Sequence, residues 1–358
     1  MTRKSGCGVR VLILTADYPP HAWSGIAAAA SNQALALSDA GAEVSVATRV
    51  WPSPSISSGS RVCVRGLDEP GFPFRGRTFE WIHLHSLGLT ELAFELRRRR
   101  GARIAYTAHS LIFRELADGP ARRYWSELQL VVMQRSDAVI LLSESEREAL
   151  TSVAPNIARR AHVIANAILP PPAAMVPYRS GGPVVFAGRF TMQKGVGTLR
   201  QFIPDLYSSW RGRTVLAGGH GDVEGERTIR ELCGLLGGAV STPGWLSRAD
   251  LDRLLARASL VLVPSLYEPF GMTALEALRL GTPVLAARVG GLTEIVADES
   301  GGRLVDGHEP EAWRSQALEI LREDTSARIV ARRGPEYVKR LFHPAVIAGR
   351  LIGEVYAN

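Results

Sequence analysis

Residues 260–277 read Leu260-Val261-Leu262-Val263-Pro264-Ser265-Leu266-Tyr267-Glu268-Pro269-Phe270-Gly271-Met272-Thr273-Ala274-Leu275-Glu276-Ala277. The branched apolar run at the start is a strand buried on both faces, as in a parallel sheet. Gly271 permits a sharp turn, and the apolar spacing from Met272 onward is helical. A strand, a glycine turn and a helix in that order aim free backbone N–H groups and the positive helix end beyond the strand, which suits a phosphate. Met272 and Thr273 supply those N–H groups, and Phe270-Gly271 shape the turn. Glu276 stands about one turn inside the helix, where a carboxylate can accept hydrogen bonds from ribose hydroxyls. Glu268 stands before the turn, placed for a sugar hydroxyl. The alternative is a capped helix with two solvated acids.

The same unit recurs upstream. Strand 184–187 runs into Gly188-Arg189-Phe190-Thr191-Met192-Gln193-Lys194-Gly195. Arg189 and Lys194 form a two-cation diphosphate clamp, Arg as a planar fork and Lys as a mobile point charge. Lys194 is one of only three lysines, against 39 arginines. A surface loop with ordinary charges is the other reading.

Further strands are read at 214–217, 284–287 and 302–305, with helical segments between. The first half alternates in the same way, with strands at 9–15, 43–48, 61–64, 81–85, 103–107, 138–142 and 162–164 and an Ala-rich helix at 26–40. Alternation of this kind implies a mostly parallel sheet covered on both faces. A Pro/Gly-rich stretch between residues 169 and 183 separates the halves. The expected architecture is α/β, with an N-terminal Rossmann-like domain at 1–170 and a second at 177–342. Two such domains on one linker form a cleft, where ligands bind.

A chain of 358 residues exceeds one hydrophobic core. Its 46% apolar and 22% charged residues describe a globular protein. No apolar run reaches membrane-spanning length, and the basic N-terminus followed by a strand-length apolar stretch does not read as a signal peptide. Three scattered cysteines make neither a disulfide framework nor a zinc pattern, so a cytoplasmic location is expected. No G-x-G-x-x-G follows the first strand and no P-loop is present, which argues against nicotinamide and P-loop chemistry. The net charge of +7 comes with no groove-reading motif, so no nucleic-acid partner is expected. The run Arg97-Arg98-Arg99-Arg100 reads as a helix C-terminus. Together with Tyr124-Trp125 it leaves peripheral membrane contact open. His83 and His85 share one strand face, but no carboxylate or Cys cluster accompanies them, and no metal site is expected.

Glu268 and Glu276, with Pro269-Phe270-Gly271 between them, resemble the E-x7-E motif of the retaining GT-B glycosyltransferases of family 4. The Gly188-Arg189 to Lys194-Gly195 loop is similar to that family's phosphate-binding segment. Leu216-Ala217-Gly218-Gly219-His220-Gly221 resembles its Gly-rich turn. Thr242-Pro243-Gly244-Trp245-Leu246 resembles the loop before its nucleotide-base site, and Gly290-Gly291-Leu292 to Glu294 its late Gly-Gly segment. In the first half, Pro19-Pro20 to Gly25 resembles the N-domain glycine loop, Thr107-Ala108-His109 the Thr-x-His segment, and Ile164-Ala165-Asn166 the Pro-Asn-Gly segment. Three departures stand out. Ser24-Gly25 replaces Gly-Gly, Ala165-Asn166-Ala167 replaces Pro-Asn-Gly, and Gly221-Asp222 lacks a following Pro.

The resemblance implies a GT-B fold and glycosyl transfer with retention, from a nucleotide-diphosphate sugar, with UDP the expected nucleotide. Arg189 and Lys194 would neutralise the leaving diphosphate. His109 would hold a sugar hydroxyl or stabilise the oxocarbenium-like state. Glu268 completes the catalytic set, and Gly25, Gly244, Phe270, Gly271, Met272, Thr273 and Glu276 the donor-binding set. No cofactor or metal is implied, and Asp250-Leu251-Asp252 on a helix would point its two acids apart. A helix at 343–358 would cross back onto the N-terminal, acceptor-binding domain. A small polar acceptor such as an aminocyclitol of antibiotic biosynthesis is expected. A lipid-linked, inositol or polysaccharide acceptor, or a nucleotide-sugar 2-epimerase, is the alternative.

Overall fold

A computed structural model describes residues 8–19, 24–49, 62–67, 74, 76–116, 119–171, 181–322 and 324–357. Residues 172–180, the heart of the expected linker, and residues 20–23 of the N-terminal glycine loop lie outside these. The chain divides into two compact units, Met1–Leu169 with Phe342–Asn358, and Pro170–Leu341.

Among the described residues the first unit holds seven strands: β1 (Arg10–Thr15), β2 (Glu43–Thr48), β3 (Cys63–Gly66), β4 (Trp81–Leu84), β5 (Arg103–Ala108), β6 (Ala138–Leu141) and β7 (Ala161–Val163). They pair in parallel in the order β3-β2-β1-β4-β5-β6-β7. Side chains alternate across a strand, so β1 feeds two cores at once. Val11 and Ile13 face a layer that includes Ala30, Ala34 and Leu37 of the helix Gly25–Asp39. Leu12 and Leu14 face a layer that includes Ala93, Leu96 and Val132. The helix Thr90–Arg100 ends on the four arginines, with Gly101 at φ +69° as its left-handed cap. Arg97 is tied down by Asp137 at 3.1 Å.

The helix Pro344–Arg350 and the wider helical turn Leu351–Tyr356 belong to this first unit. Ile347, Ala348, Leu351, Val355 and Tyr356 are buried in the same core as the helix Gly25–Asp39. The Trp81 indole N–H donates to the Tyr356 carbonyl at 3.2 Å.

The second unit holds β8 (Val184–Arg189), β9 (Thr214–Gly219), β10 (Val240–Gly244), β11 (Leu260–Val263), β12 (Val284–Ala287) and β13 (Arg303–Val305). They are parallel in the order β10-β9-β8-β11-β12-β13. Its core gathers Phe186, Leu199, Phe202, Leu216, Leu262 and Trp313. Strand β10 corrects the sequence reading of residues 242–246 as a loop: 242–244 belong to the strand, while 245 and 246 lie outside it. Ser241, Thr242 and Pro243 are exposed, because β10 is an edge strand and an edge tolerates both polar residues and proline. Among the described residues no helix is long and apolar enough to cross a membrane.

Both sheets reverse their strand order once, between β1 and β4 and between β8 and β11. Ligands of open α/β sheets bind beyond the strand carboxyl ends at such a switch point. The two motif loops of the second unit leave from β8 and β11, the adjacent strands of its switch.

Candidate functional site

In the second unit, β8 delivers Arg189 to its exposed carboxyl end, where the side chain has no carboxylate partner among the described residues. The chain then makes one tight turn, Met192–Lys194, with the Thr191 hydroxyl accepting from the Lys194 N–H at 3.2 Å. Gly195 follows at φ +78°, and a Cβ there would sit 1.8 Å from the Pro264 carbonyl oxygen. Only glycine allows this approach, and it brings the two motif loops together. The Leu266 N–H donates to the Gln193 carbonyl at 2.8 Å.

Side chains close the same seam. Lys194 Nζ lies 2.7 Å from Glu268 Oε2, and the Ser265 hydroxyl donates to the same oxygen at 3.1 Å. Glu268 is only 7% exposed. Its carbonyl accepts from the Gly291 N–H at 2.9 Å, and a Cβ on Gly290 would meet that carbonyl oxygen at 2.1 Å. The late Gly-Gly pair therefore works as the floor beneath Glu268.

Gly271, at φ +112°, turns the chain into the helix Met272–Arg279. A Cβ there would press on Leu292 at 2.7 Å. Phe270 is buried beside it. The Thr273 hydroxyl donates to the Ala187 carbonyl at 3.1 Å, which anchors the helix start against β8 near Arg189. Met272 and Thr273 are half-buried, and their position in the first turn leaves their N–H groups outside the intrahelical ladder.

Glu276 is buried and ion-paired with Arg248, a partner the sequence reading did not name. Arg248 opens the helix Arg248–Arg257, and it also reaches Asp252 at 2.9 Å. Asp252 in turn pairs with the buried Arg279. Two cations and two anions thus form one neutral chain. Burial alone would lower the Arg248 pKa, but Glu276 and Asp252 outweigh it and hold the guanidinium above its ordinary value. Asp250 points elsewhere, exposed and paired with Arg253. Among the described residues no three or more His, Cys, Asp or Glu side chains are arranged so that they could hold a metal ion.

Around this centre, Gly244 sits at φ +78° with open space where a Cβ would be. Trp245 and His220, at the ends of β10 and β9, hold their rings 5.9 Å apart. Asp222 caps the helix Val223–Leu236 and also accepts from the Met192 N–H at 3.2 Å. The Gly-rich turn is thereby pinned to the Met192–Lys194 turn without the proline of the related motif.

In the first unit, Ser24 caps the helix that begins at Gly25, and its hydroxyl donates to Asp17 at 3.2 Å. A Cβ on Gly25 would meet nothing within 4 Å. His109 follows β5 and is half-buried. Its Nε2 lies 2.9 Å from His85 Nδ1, and burial pushes its pKa down to about 4. The loop beyond it is held by the buried Gln129, which donates to the Ser110 carbonyl at 2.8 Å, and by the buried Glu146, which accepts from the Leu111 N–H at 2.9 Å. The structure therefore groups Arg189, Lys194, Glu268, Phe270, Gly271, Met272, Thr273, Glu276 and Gly244 on one sheet, and Gly25 and His109 on the other.

Comparison with known proteins agrees with this geometry. The family described as "Glycosyl transferases group 1" matches residues 180–337, and "Glycosyltransferase Family 4" matches residues 23–169. A D-inositol 3-phosphate glycosyltransferase of Segniliparus rotundus is 29% identical over 296 residues, covering 75% of this chain and 64% of that protein. One of the same name from Xylanimonas cellulosilytica is 36% identical over 178 residues, covering 49% of this chain and 42% of that protein. The chain thus spans less than two thirds of the length of these curated relatives. Among solved structures, sucrose-phosphate synthase of Thermosynechococcus elongatus superposes with a TM-score of 0.76 at 24% identity, over 98% of this chain and 99% of that one. Anabaena HepE in complex with UDP and glucose gives 0.74 at 17% identity, over 97% and 99%. These likenesses establish the GT-B type of α/β fold. With one family model on each unit, the chain belongs to the group 1, family 4 glycosyltransferases.

Proposed function

We propose that the protein transfers a hexose or amino-hexose from a nucleotide-diphosphate sugar to a hydroxyl acceptor, with retention at the anomeric carbon. The observation that carries this is the joining of the β8 and β11 loops through Lys194 and Glu268, beside the exposed Arg189 and the helix start at Met272-Thr273. A leaving diphosphate gains charge as the glycosidic bond breaks. Fixed cations and helix-start N–H groups stabilise that charge without reorganising. In this reading Lys194 exchanges Glu268 for a phosphate oxygen, and Glu268 turns to a sugar hydroxyl. Glu276 takes the ribose hydroxyls, with Gly244, Phe270 and Gly271 shaping the nucleotide's bed. The first unit contributes Gly25 and His109 and carries the acceptor.

UDP is the proposed nucleotide, supported by the HepE complexes with UDP and with UDP-glucose. The proposed acceptor is a small polyhydroxylated ring. The relatives named for D-inositol 3-phosphate support a cyclitol over the lipid-linked alternative, and an aminocyclitol has the same shape. No metal is assigned a role: in this reading the cations of the second unit neutralise the diphosphate. Purified protein incubated with UDP-glucose or UDP-N-acetylglucosamine and a panel of cyclitols, their phosphates and lipid-linked sugars tests this. UDP release that depends on an acceptor supports transfer. Release without acceptor, together with a changed sugar, would instead indicate epimerase chemistry.

A further inference from the structure

Three imidazoles stand in a row in the first unit. His83 on β4 and His85 just after it stack at 4.6 Å between centroids, and His85 and His109 meet edge to edge through their ring nitrogens, 5.1 Å between centroids. The row runs from the interior to the half-buried His109. Its inner end is fixed: His83 Nε2 lies 2.7 Å from the Thr107 hydroxyl, and Gln33 Nε2 lies 2.7 Å from His83 Nδ1. The Gln33 amide nitrogen can only donate, and the Tyr356 hydroxyl 2.5 Å from the same Nδ1 can donate too, so His83 Nδ1 accepts and its proton sits on Nε2. The three imidazoles stay neutral, because burial opposes charging each of them and repulsion from the neighbouring rings adds to it for His83 and His85.

A neutral His85 has one N–H to place. His85 Nε2 is buried and has no hydrogen-bond partner among the described residues. Its Nδ1 lies 2.9 Å from His109 Nε2. A proton on Nε2 would be a buried donor with no acceptor, at a cost of about 1–3 kcal/mol. A proton on Nδ1 makes the bond to His109 and leaves only a bare lone pair in the apolar wall. His109 Nε2 must then accept, so the proton of the neutral His109 resides on Nδ1. That edge makes no protein hydrogen bond among the described residues.

We infer that His85 is a positioning residue that locks His109 in the Nδ1–H tautomer, so that His109 meets its substrate as a neutral hydrogen-bond donor and not as a base. Its one lone pair is already engaged by His85. A donor of this kind fits an oxygen of a hydroxylated substrate, a sugar or acceptor hydroxyl. The inference rests on the proposed role of His109 for its consequence in catalysis, but not for the tautomer itself.

Long-range proton–nitrogen NMR of the full chain labelled with 15N-histidine reads the tautomer directly. Wild-type His109 is expected to show a protonated Nδ1 and a bare Nε2, and the opposite pattern would overturn the inference. His85→Leu removes the donor at similar volume. His109 should then populate both tautomers, and kcat should fall about tenfold or more with a smaller change in KM for the donor sugar. His85→Gln restores an amide donor and should restore most of both. In a His109→Ala background, His85→Leu should add nothing to the kinetic loss. An unchanged His109 tautomer in His85→Leu would sink the lock. A shifted tautomer with full turnover in both His85→Leu and His109→Ala would keep the lock and instead overturn the proposed role of His109.

Discussion

Arg248 joins Glu276 across two helices, and through Asp252 it ties both to the buried Arg279. The acid expected to grip a ribose is therefore held by a cation of its own. A buried carboxylate without that partner would repel a nearby diphosphate and would swing on its own rotamers.

Arg248→Gln should therefore raise KM for the nucleotide sugar about tenfold while kcat changes little, because it disturbs the placement of Glu276 and not the departing phosphate. Steady-state kinetics with varied donor checks this. An equal fall in kcat and kcat/KM would place Arg248 at the reacting centre instead.

Lys194→Ala should cost about 10²–10³ in kcat/KM, the scale of one preorganised partner of a developing anion. It should also lower stability by about 1–3 kcal/mol, since among the described residues Glu268 then keeps only Ser265 as a side-chain partner. Adding Glu268→Gln should recover the stability and not the rate. Urea unfolding beside initial-rate assays separates the two effects.

The stacked histidines make stability fall with acid. Burial pushes the His83 pKa down to about 3 and that of His109 down to about 4, against about 6.5 in the unfolded chain. Between those values the unfolded state binds the extra protons, so stability drops as pH falls below about 6.5. Each histidine contributes up to about 1.4 kcal/mol per pH unit. Urea midpoints measured from pH 7.5 to 4.5 should show this slope, and His83→Leu should flatten it. A slope of the opposite sign would contradict the neutral stack.

If Arg189, Lys194 and the helix start neutralise the diphosphate as proposed, transfer should persist in EDTA. Proton NMR of the first-formed product should show the anomeric configuration of the donor. Inhibition by EDTA that Mg²⁺ reverses would remove the protein-only clamp, and an inverted product would remove the retaining mechanism.

Gly290→Ala should damage activity without altering any charged side chain. Its φ of +50° is unfavourable for alanine, and the new Cβ would strike the Glu268 carbonyl. A variant with normal folding and normal kinetics would show that the floor beneath Glu268 can yield.

The strands were legible because both parallel sheets are buried, so their strands read as continuous apolar runs such as Leu260–Val263. The motif loops were legible because close backbone approach demands glycine at Gly195 and Gly271. Strand β10 was not, since its edge position lets Ser241, Thr242 and Pro243 stand where a buried strand would carry valine. Arg248 was not, since an arginine in the first turn of a helix reads as a solvated charge until its neighbour across the fold is known. His85 was read with His83 as a pair on one strand. Its bond to His109 depends on strand pairing between β4 and β5, which no local spacing reveals.

The first unit is assembled from both sides of the second, for its core needs Ile347, Leu351 and Tyr356 as well as β1 to β7. During synthesis the sheet of the first unit therefore emerges with one apolar flank bare. It waits while the whole second unit is translated, on the order of ten seconds or more at usual elongation rates. The second unit is contiguous in the chain and can close first. The second unit can thus mature on the ribosome before the first is complete, and the interval leaves Trp81 and the Gly25–Asp39 helix open to chaperones that bind apolar surface.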